Sequence, residues 1–84
     1  MSNRDLLCDI DEEMVIFEYP EYDEAIIGYT DDHRVVYDYD LMVKCLIESE
    51  NMTYEEAVDW VDYNAIRALG YIRKAPIVMY RLTD

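Results

Sequence analysis

The sequence predicts one α+β domain over residues 1–84, with a small, mainly antiparallel sheet of three to four strands and two to three helices packed on one face. The chain has 84 residues, of which 52% are hydrophobic, enough for one small core. Its β-branched and aromatic runs are short, as strands are. Longer segments repeat apolar residues at helical spacing. These observations give the order α-β-β-β-α-α-β.

The first two elements are a helix and a strand. Ser2 is expected to cap a short helix, and the apolar side of that helix carries Leu6, Leu7 and Ile10. The run MVIFEY, residues 14–19, is rich in β-branched and aromatic residues and predicts a strand. Pro20 would end it, because proline cannot donate to a strand ladder.

A β-hairpin is predicted over residues 24–38, because the strand-like runs EAIIGYT and RVVYDY flank the turn residues Asp31, Asp32 and His33. The dipeptide Asp32-His33 lacks the glycine usual in a tight turn, although Asp tolerates positive φ better than most residues.

Two helices and a last strand complete the chain. Asp40 is expected to cap a helix through LMVKCLIESE, and Thr53 with Glu56 forms a capping box that starts the next helix. Gly70 supplies the permissive residue that would end it. The run Ile77–Tyr80, opened by a proline, predicts a strand that joins the same sheet.

The helix from Tyr54 to Leu69 has a buried and an outward side. At about 100° per residue, with Val61 at the centre of the buried side, its neighbours there fall within about 80°. They are Tyr54, Ala57, Val58, Asn64, Ala65, Ala68 and Leu69. The outward side collects Glu55, Glu56, Asp59, Asp62, Tyr63, Ile66 and Arg67, with Trp60 on the border.

Negative charge is concentrated in most of the chain. The formal net charge is −13. Residues 1–66 hold nineteen acids and three bases, a net −16, whereas residues 67–84 hold one acid and four bases, a net +3. This argues against direct nucleic-acid binding, which needs a basic surface. Repulsion between so many like charges lowers the stability of the fold, and a protein tolerates it for solubility or for a partner.

The outward side of the predicted helix is the candidate partner-binding site. Trp and Tyr are common interface anchors, and neighbouring carboxylates suit a basic partner. Steps of three or four residues advance about 4.5–6 Å along a helix, comparable to phosphate spacing on a nucleic-acid strand. The candidate residues are Glu55, Glu56, Asp59, Trp60, Asp62 and Tyr63, supported by Asp31 and Asp32 at the hairpin tip. An ordinary solvated acidic surface, with Trp60 covering the core edge, is the alternative.

Catalytic and cofactor motifs are not found in the sequence. His33 is the only histidine, and the two glycines are isolated, which excludes a glycine-rich phosphate loop. The acidic pairs Asp9/Asp11 and Asp38/Asp40 could bind Mg²⁺ or Ca²⁺ weakly, but DIDEE lacks the glycine and distal glutamate of an EF-hand. We therefore expect no enzyme activity, no cofactor and no metal centre.

The sequence also carries a resemblance. The segments YDEAIIGYTDDHRVVYDYDLM, TYEEAVDWVDYNAIRAL and KAPIVMY resemble a family of small, acidic, uncharacterised proteins from phages, prophages and plasmids of Gram-positive bacteria. The likeness covers about residues 13–80. It implies a mobile-element setting, in which small proteins often inhibit host defence. Size and charge are similar to those of DNA-mimic anti-CRISPR and antirestriction inhibitors, without a shared motif.

These observations favour a non-enzymatic inhibitor that occupies a basic nucleic-acid-binding groove of a bacterial defence nuclease, a Cas effector or a restriction enzyme. The alternative is a protein-binding module with hydrophobic contacts, such as an antitoxin or a regulator of host transcription; a metal-dependent enzyme comes third. A homodimer is compatible with either interpretation. No apolar run approaches the roughly 20 residues that cross a bilayer, and the acidic N-terminus does not resemble a signal peptide. A cytoplasmic location in the bacterial host is expected.

Overall fold

The computed structural model describes residues 3–18 and 22–82 and has the predicted α+β architecture. The helices within these ranges are α1 (Asn3–Ile10), α2 (Tyr39–Glu50) and α3 (Tyr54–Trp60), and the strands are β1 (Ile26–Tyr29), β2 (Val35–Asp38) and β3 (Ile77–Met79). A 3₁₀ turn, Asp23–Ala25, precedes β1. After α3 the chain continues as a π-helical segment, Val61–Ile66, and a 3₁₀ segment, Arg67–Tyr71. None of the described helices is long and apolar enough to cross a bilayer.

The sheet is mixed, whereas a mainly antiparallel one was predicted. Its order is β1-β2-β3, and β1 and β2 form the predicted antiparallel hairpin. β3 joins the same sheet, as predicted, but runs parallel to β2, with Val36 opposite Ile77. Between these two strands the chain passes through α2, α3 and the segments that follow α3. Such a long crossover can bring the second strand back parallel to the first.

The predicted strand at residues 14–19 is wrong for its described part. Residues 14–18 form no strand, and Tyr19 lies outside the described residues. The backbone groups of Phe17 bond to side chains instead of a ladder: its N–H donates to the Tyr37 hydroxyl (3.0 Å), and its carbonyl accepts from Arg4 Nη2 (3.1 Å). Met14, Ile16 and Phe17 of this run still pack against the core, which explains its strand-like composition.

The cap of α2 differs from the prediction, and the cap of α3 matches it. Asp38, not Asp40, caps α2: its extended backbone precedes the helix, and its Oδ1 accepts from the Leu41 N–H (3.1 Å). The capping box of Thr53 and Glu56 is confirmed. Ser2, the expected cap of α1, lies outside the described residues.

Gly70 does not end the helix that starts after Thr53 in the predicted way. No described glycine has a positive φ, and Gly70 lies inside the 3₁₀ segment that ends at Tyr71. Positive φ occurs instead at His33 in the hairpin turn, at Asn51 after α2 and at Lys74 before β3. In the turn it is therefore His33, rather than its neighbour Asp32, that takes the left-handed conformation.

The core lies between the hairpin, α1, α2 and the inner side of the 54–71 helical region. Val61 is fully buried, as predicted, and Ala57 and Ala65 flank it. Tyr54 is 66% exposed instead of buried, because it lies two turns before Val61, beyond the core edge. Asn64 is exposed, and Ile66 packs against the core, both opposite to expectation.

The π-helical segment explains these last two reversals. Its hydrogen bonds run from residue i to i+5, as in the bond from the Arg67 N–H to the Asp62 carbonyl. Each residue therefore advances less than the 100° of an α-helix. After Val61 this smaller rotation turns Ile66 inward and leaves Asn64 outward, where its Nδ2 donates to the Trp60 carbonyl (3.1 Å).

Candidate protein-interaction site

The acidic helix face consists of six exposed residues on α3 and the start of the π-helical segment: Glu55, Glu56, Asp59, Trp60, Asp62 and Tyr63. Glu55, Asp59 and Asp62 follow each other at helical spacing, so their carboxylates form a row along one side. Tyr63 is 68% exposed and Trp60 is 37% exposed, at the margin of the core. Six of the eight predicted partner-binding residues therefore share one surface.

Glu56 has a structural task at the start of this surface. Its Oε1 accepts from the Thr53 N–H (3.0 Å), and its own N–H donates to Thr53 Oγ1 (3.2 Å). The bond from the Thr53 backbone, followed by that from the Thr53 side chain, holds the pKa of Glu56 below its ordinary value. Glu56 stays charged, but its orientation is set by the capping box.

Asp62 is held in place by Tyr39, the first residue of α2. The Tyr39 hydroxyl donates to Asp62 Oδ1 (2.8 Å), and the Tyr39 ring stacks on Tyr80 with centroids 4.7 Å apart. Burial, and then the hydrogen bond to Asp62, raise the pKa of Tyr39. Tyr39 therefore remains a neutral donor, and it fixes the Asp62 carboxylate relative to α2 and β3.

Arg67 is a base that borders the acidic helix face. Its guanidinium lies 4.8 Å from the centroid of the Tyr63 ring, a cation–π contact. Together with Asp59 and Asp62 these two residues line an open depression of about 560 Å³. The arrangement already shows an arginine stacked on an exposed tyrosine beside carboxylates, and a partner arginine could make similar contacts.

The described ion pairs leave the acidic helix face uncompensated. Within residues 3–18 and 22–82, fifteen of the eighteen acids are exposed. Basic side chains lie within 4.0 Å of Asp11, Asp23, Asp38 and Glu48. None of these belongs to the face, and Glu55, Glu56, Asp59 and Asp62 are all exposed.

The hairpin-tip acids lie apart from the acidic helix face. Asp31 and Asp32 precede β2, whereas Asp62 is bonded to Tyr39, which follows β2. At roughly 3.3 Å per residue, the length of β2 separates the hairpin tip from Tyr39 by about 10 Å. The hydrogen bond from the Thr30 hydroxyl has the largest effect and lowers the pKa of Asp32. Desolvation acts to raise this pKa, and the charges of Arg34 and Lys74 lower it further. The tip is thus a mixed-charge corner, not an extension of the acidic row.

Sequence reasoning did not assign Tyr39 and Tyr80 to this surface. The tyrosine content was the available signal, because so many rings exceed what a small core can bury. Tyr80 is 57% exposed and Tyr54 is 66% exposed, whereas Tyr37 is fully buried. The exposed tyrosines enlarge the aromatic part of the candidate site.

One member of each acidic pair considered for metal binding bonds to another side chain. Asp11 Oδ2 lies 2.9 Å from His33 Nδ1, and Asp38 bonds to Arg81. Among the described residues no group of three or more His, Cys, Asp or Glu side chains is arranged to hold a metal ion.

Comparisons with protein-family models, with curated proteins and with solved structures found no match to the chain.

Proposed function

We propose that this protein is a non-enzymatic acidic inhibitor that occupies a basic nucleic-acid-binding groove on a bacterial defence nuclease. The observation that carries the proposal is the acidic helix face, whose four carboxylates are exposed and have no basic partner within 4.0 Å among the described residues. Residues 1–66, which include this face, carry a net charge of −16. The protein would act as an anti-CRISPR-like nucleic-acid mimic.

The geometry of the face suits a groove that evolved for phosphates. Glu55 and Asp59 are about 6 Å apart along the axis, and Asp62 follows after about 4.5 Å, at 1.5 Å per helical residue. A positively charged groove attracts such a row over distance, which accelerates association. Trp60 and Tyr63 can then anchor the complex, because amphipathic rings contribute strongly at interface centres.

The class of target comes from the resemblance to phage, prophage and plasmid proteins. In a bacterial cytoplasm, a mobile element benefits from blocking a Cas effector first and a restriction enzyme next. Both kinds of enzyme hold nucleic acid in a positively charged channel. The inhibitor would compete for this channel and would not itself bind nucleic acid.

A competition experiment with matched variants tests the proposal. The probes are an RNA-loaded Cas nuclease and a type II restriction endonuclease from Gram-positive bacteria, each bound to fluorescent DNA. The face variant, Glu55→Lys/Asp59→Lys, spares Glu56 and Asp62 because these residues make hydrogen bonds that hold the fold. The control variant, Glu12→Lys/Glu18→Lys, changes the net charge equally at two exposed positions outside the face.

Wild-type protein should displace DNA from one of the nucleases, and its affinity should fall steeply with ionic strength. The face variant should bind at least about tenfold more weakly, which corresponds to about 1.4 kcal/mol. The control variant should lose much less. Simultaneous binding of protein and DNA would reject groove occupation. A tight affinity that changes neither with ionic strength nor in the face variant would favour the alternative, a protein-binding module with hydrophobic contacts.

A further inference from the structure

The open depression on the acidic helix face combines an exposed aromatic ring with two carboxylates. It measures about 560 Å³ and is lined by Asp59, Asp62, Tyr63 and Arg67. The Tyr63 side chain is 68% exposed, and both aspartates are exposed as well. A ligand that enters the depression therefore meets an aromatic ring and two negative charges together.

The contact between Arg67 and Tyr63 shows which chemical group this ring accepts. Arg67 Cζ lies 4.8 Å from the centroid of the Tyr63 ring, inside the range of about 6 Å over which a cation is attracted to an aromatic face. Its guanidinium still has no carboxylate within 4.0 Å among residues 3–18 and 22–82. Arg67 thus uses the ring and leaves Asp59 and Asp62 without an ion pair.

The two carboxylates are suited to a planar, multiply donating cation. Asp62 Oδ1 accepts from the Tyr39 hydroxyl (2.8 Å), which fixes its orientation. A carboxylate has about four acceptor positions, so Asp62 can accept further hydrogen bonds. A guanidinium carries five donors in one plane and stacks on aromatic rings, whereas an ammonium is a compact, strongly hydrated charge. The combination of ring and carboxylates therefore favours arginine over lysine.

We propose that this depression is an arginine-selective site, in which the guanidinium of a partner arginine stacks on Tyr63 and donates to Asp59 and Asp62. Arg67 is a built-in competitor for this site, because it contacts the same ring and places a like charge in the same depression. The inference rests on the proposed function for its partner, since proteins neutralise phosphates with arginine and lysine. It adds that the arginines of the groove, rather than its lysines, are recognised.

The test uses two acetylated and amidated pentapeptides, GGRGG and GGKGG, titrated into the full-length protein and followed by NMR. GGRGG should shift the ring signals of Tyr63 and bind at least about threefold more tightly than GGKGG. Both peptides carry one positive charge, so the general attraction to an acidic protein cancels in the comparison. Equal affinities, or shifts that do not include Tyr63, would overturn the proposal.

Two tyrosine variants test the role of the ring. Tyr63→Leu removes the aromatic face at an exposed position and should abolish the preference for GGRGG. Tyr71→Leu makes the same change at a residue that is 93% exposed and does not line the depression, and should keep the preference. A preference that survives Tyr63→Leu would overturn the proposal.

Two arginine variants test the competition. Arg67→Gln should bind GGRGG at least about threefold more tightly than wild type, because the ring and the depression lose their own cation. Arg73→Gln removes the same charge from another exposed arginine, which lines a separate depression with Asp11 and Glu13, and should change binding much less. Equal gains in the two variants would overturn the competition by Arg67.

Displacement of DNA from the nucleases separates this inference from the proposed function. Arg67→Gln should need at least about threefold less protein than wild type for half-displacement, and Arg73→Gln should stay closer to wild type. A wild-type protein that prefers GGRGG but displaces no DNA would reject the inhibitor function and support the arginine site. Displacement of DNA by a wild type that binds both peptides equally would support the inhibitor function and overturn the arginine site.

Discussion

The carboxylate of Asp38 and the carboxylates of the acidic helix face have opposite environments. Asp38 is only 2% exposed. Its Oδ1 accepts from the Leu41 N–H at the start of α2 (3.1 Å), and its Oδ2 accepts from Arg81 Nε (2.5 Å), 43 residues away. Asp59 is exposed and has no basic side chain within 4.0 Å among the described residues. One carboxylate joins β2, α2 and the segment after β3, whereas the other faces solvent.

The difference shows how this chain uses its acids. A buried carboxylate is stable only when hydrogen bonds and a counter-charge replace water, and Asp38 has both. Of the acids on the face, Glu55 and Asp59 contribute little to folding, since water already solvates them. Their cost is mutual repulsion, and a basic partner would relieve it.

The largest expected effect comes from placing a carboxylate where no partner exists. Val61 is fully buried in the core cluster. Val61→Asp should lower the free energy of unfolding by several kcal/mol, because it buries a charge without compensation. Asp59→Ala, two positions away, should stay within about 0.5 kcal/mol. Urea unfolding of both variants measures the difference, and comparable losses would contradict the helix orientation.

The next largest effect is expected at Asp38. Asp38→Ala removes the cap of α2 and the ion pair to Arg81, and should cost about 1–3 kcal/mol. Asp40→Ala is the matched control, because Asp40 is exposed and is not the cap; it should cost less than about 0.5 kcal/mol. Thermal and chemical unfolding of the two variants would separate them. Equal stabilities would mean that the contacts of Asp38 contribute nothing measurable.

A pH experiment sharpens the same contrast. Burial acts to raise the pKa of Asp38, but the hydrogen bonds from Arg81 and Leu41 outweigh it and hold the pKa below its ordinary value. A lowered folded-state pKa gives stability that is fully present above the unfolded pKa, about 3.9 for Asp, and is lost as pH falls through the folded pKa.

Asp38→Asn keeps a capping oxygen and removes the charge. The stability difference between wild type and this variant should therefore be constant near neutral pH and shrink progressively below about pH 4. Denaturant unfolding of both proteins across this range measures it. A difference that grows toward low pH would contradict the lowered pKa of Asp38.

The smallest expected effect concerns the face itself. Glu55→Lys/Asp59→Lys changes two exposed side chains outside the hydrogen bonds of Glu56 and Asp62, so the free energy of unfolding should change by less than about 0.5 kcal/mol per site. Relief of repulsion can even make the change favourable. Circular dichroism during thermal unfolding checks this, and a large loss of stability would mean that these acids support the fold.

Local signals in the sequence predicted much of the fold. The β-rich runs around Asp31 and Asp32 predicted the hairpin, and Thr53 with Glu56 predicted the start of α3. Helical periodicity placed Val61 in the core. Each of these inferences depends on residues close together in sequence, where backbone preference and side-chain spacing carry the information.

Two of the errors concern contacts between distant residues. Residues 14–19 have strand-like composition, but the Phe17 N–H donates to the Tyr37 hydroxyl, 20 residues away, and not to a strand ladder. The parallel direction of β3 depends on the path of the whole crossover. The π-helical segment after Trp60 has no simple residue signature, and it reversed the predicted positions of Asn64 and Ile66.

The candidate site was predictable to a similar extent. Helical spacing alone brings Glu55, Asp59 and Asp62 together on one side. The bond between Tyr39 and Asp62 joins residues 23 positions apart, and the separation of Asp31 and Asp32 from the helix depends on the length and direction of β2. Neither could be deduced from spacing.

The most direct test of the central claim is the displacement of fluorescent DNA from the target nuclease by wild type, the face variant and the control variant. If the acidic helix face is the binding surface, the face variant should need at least about ten times more protein for half-displacement than wild type. The equally charged control variant should stay within about threefold, a difference below 1 kcal/mol. Equal potency of the two variants would contradict the claim, because net charge and not this row of carboxylates would then determine binding.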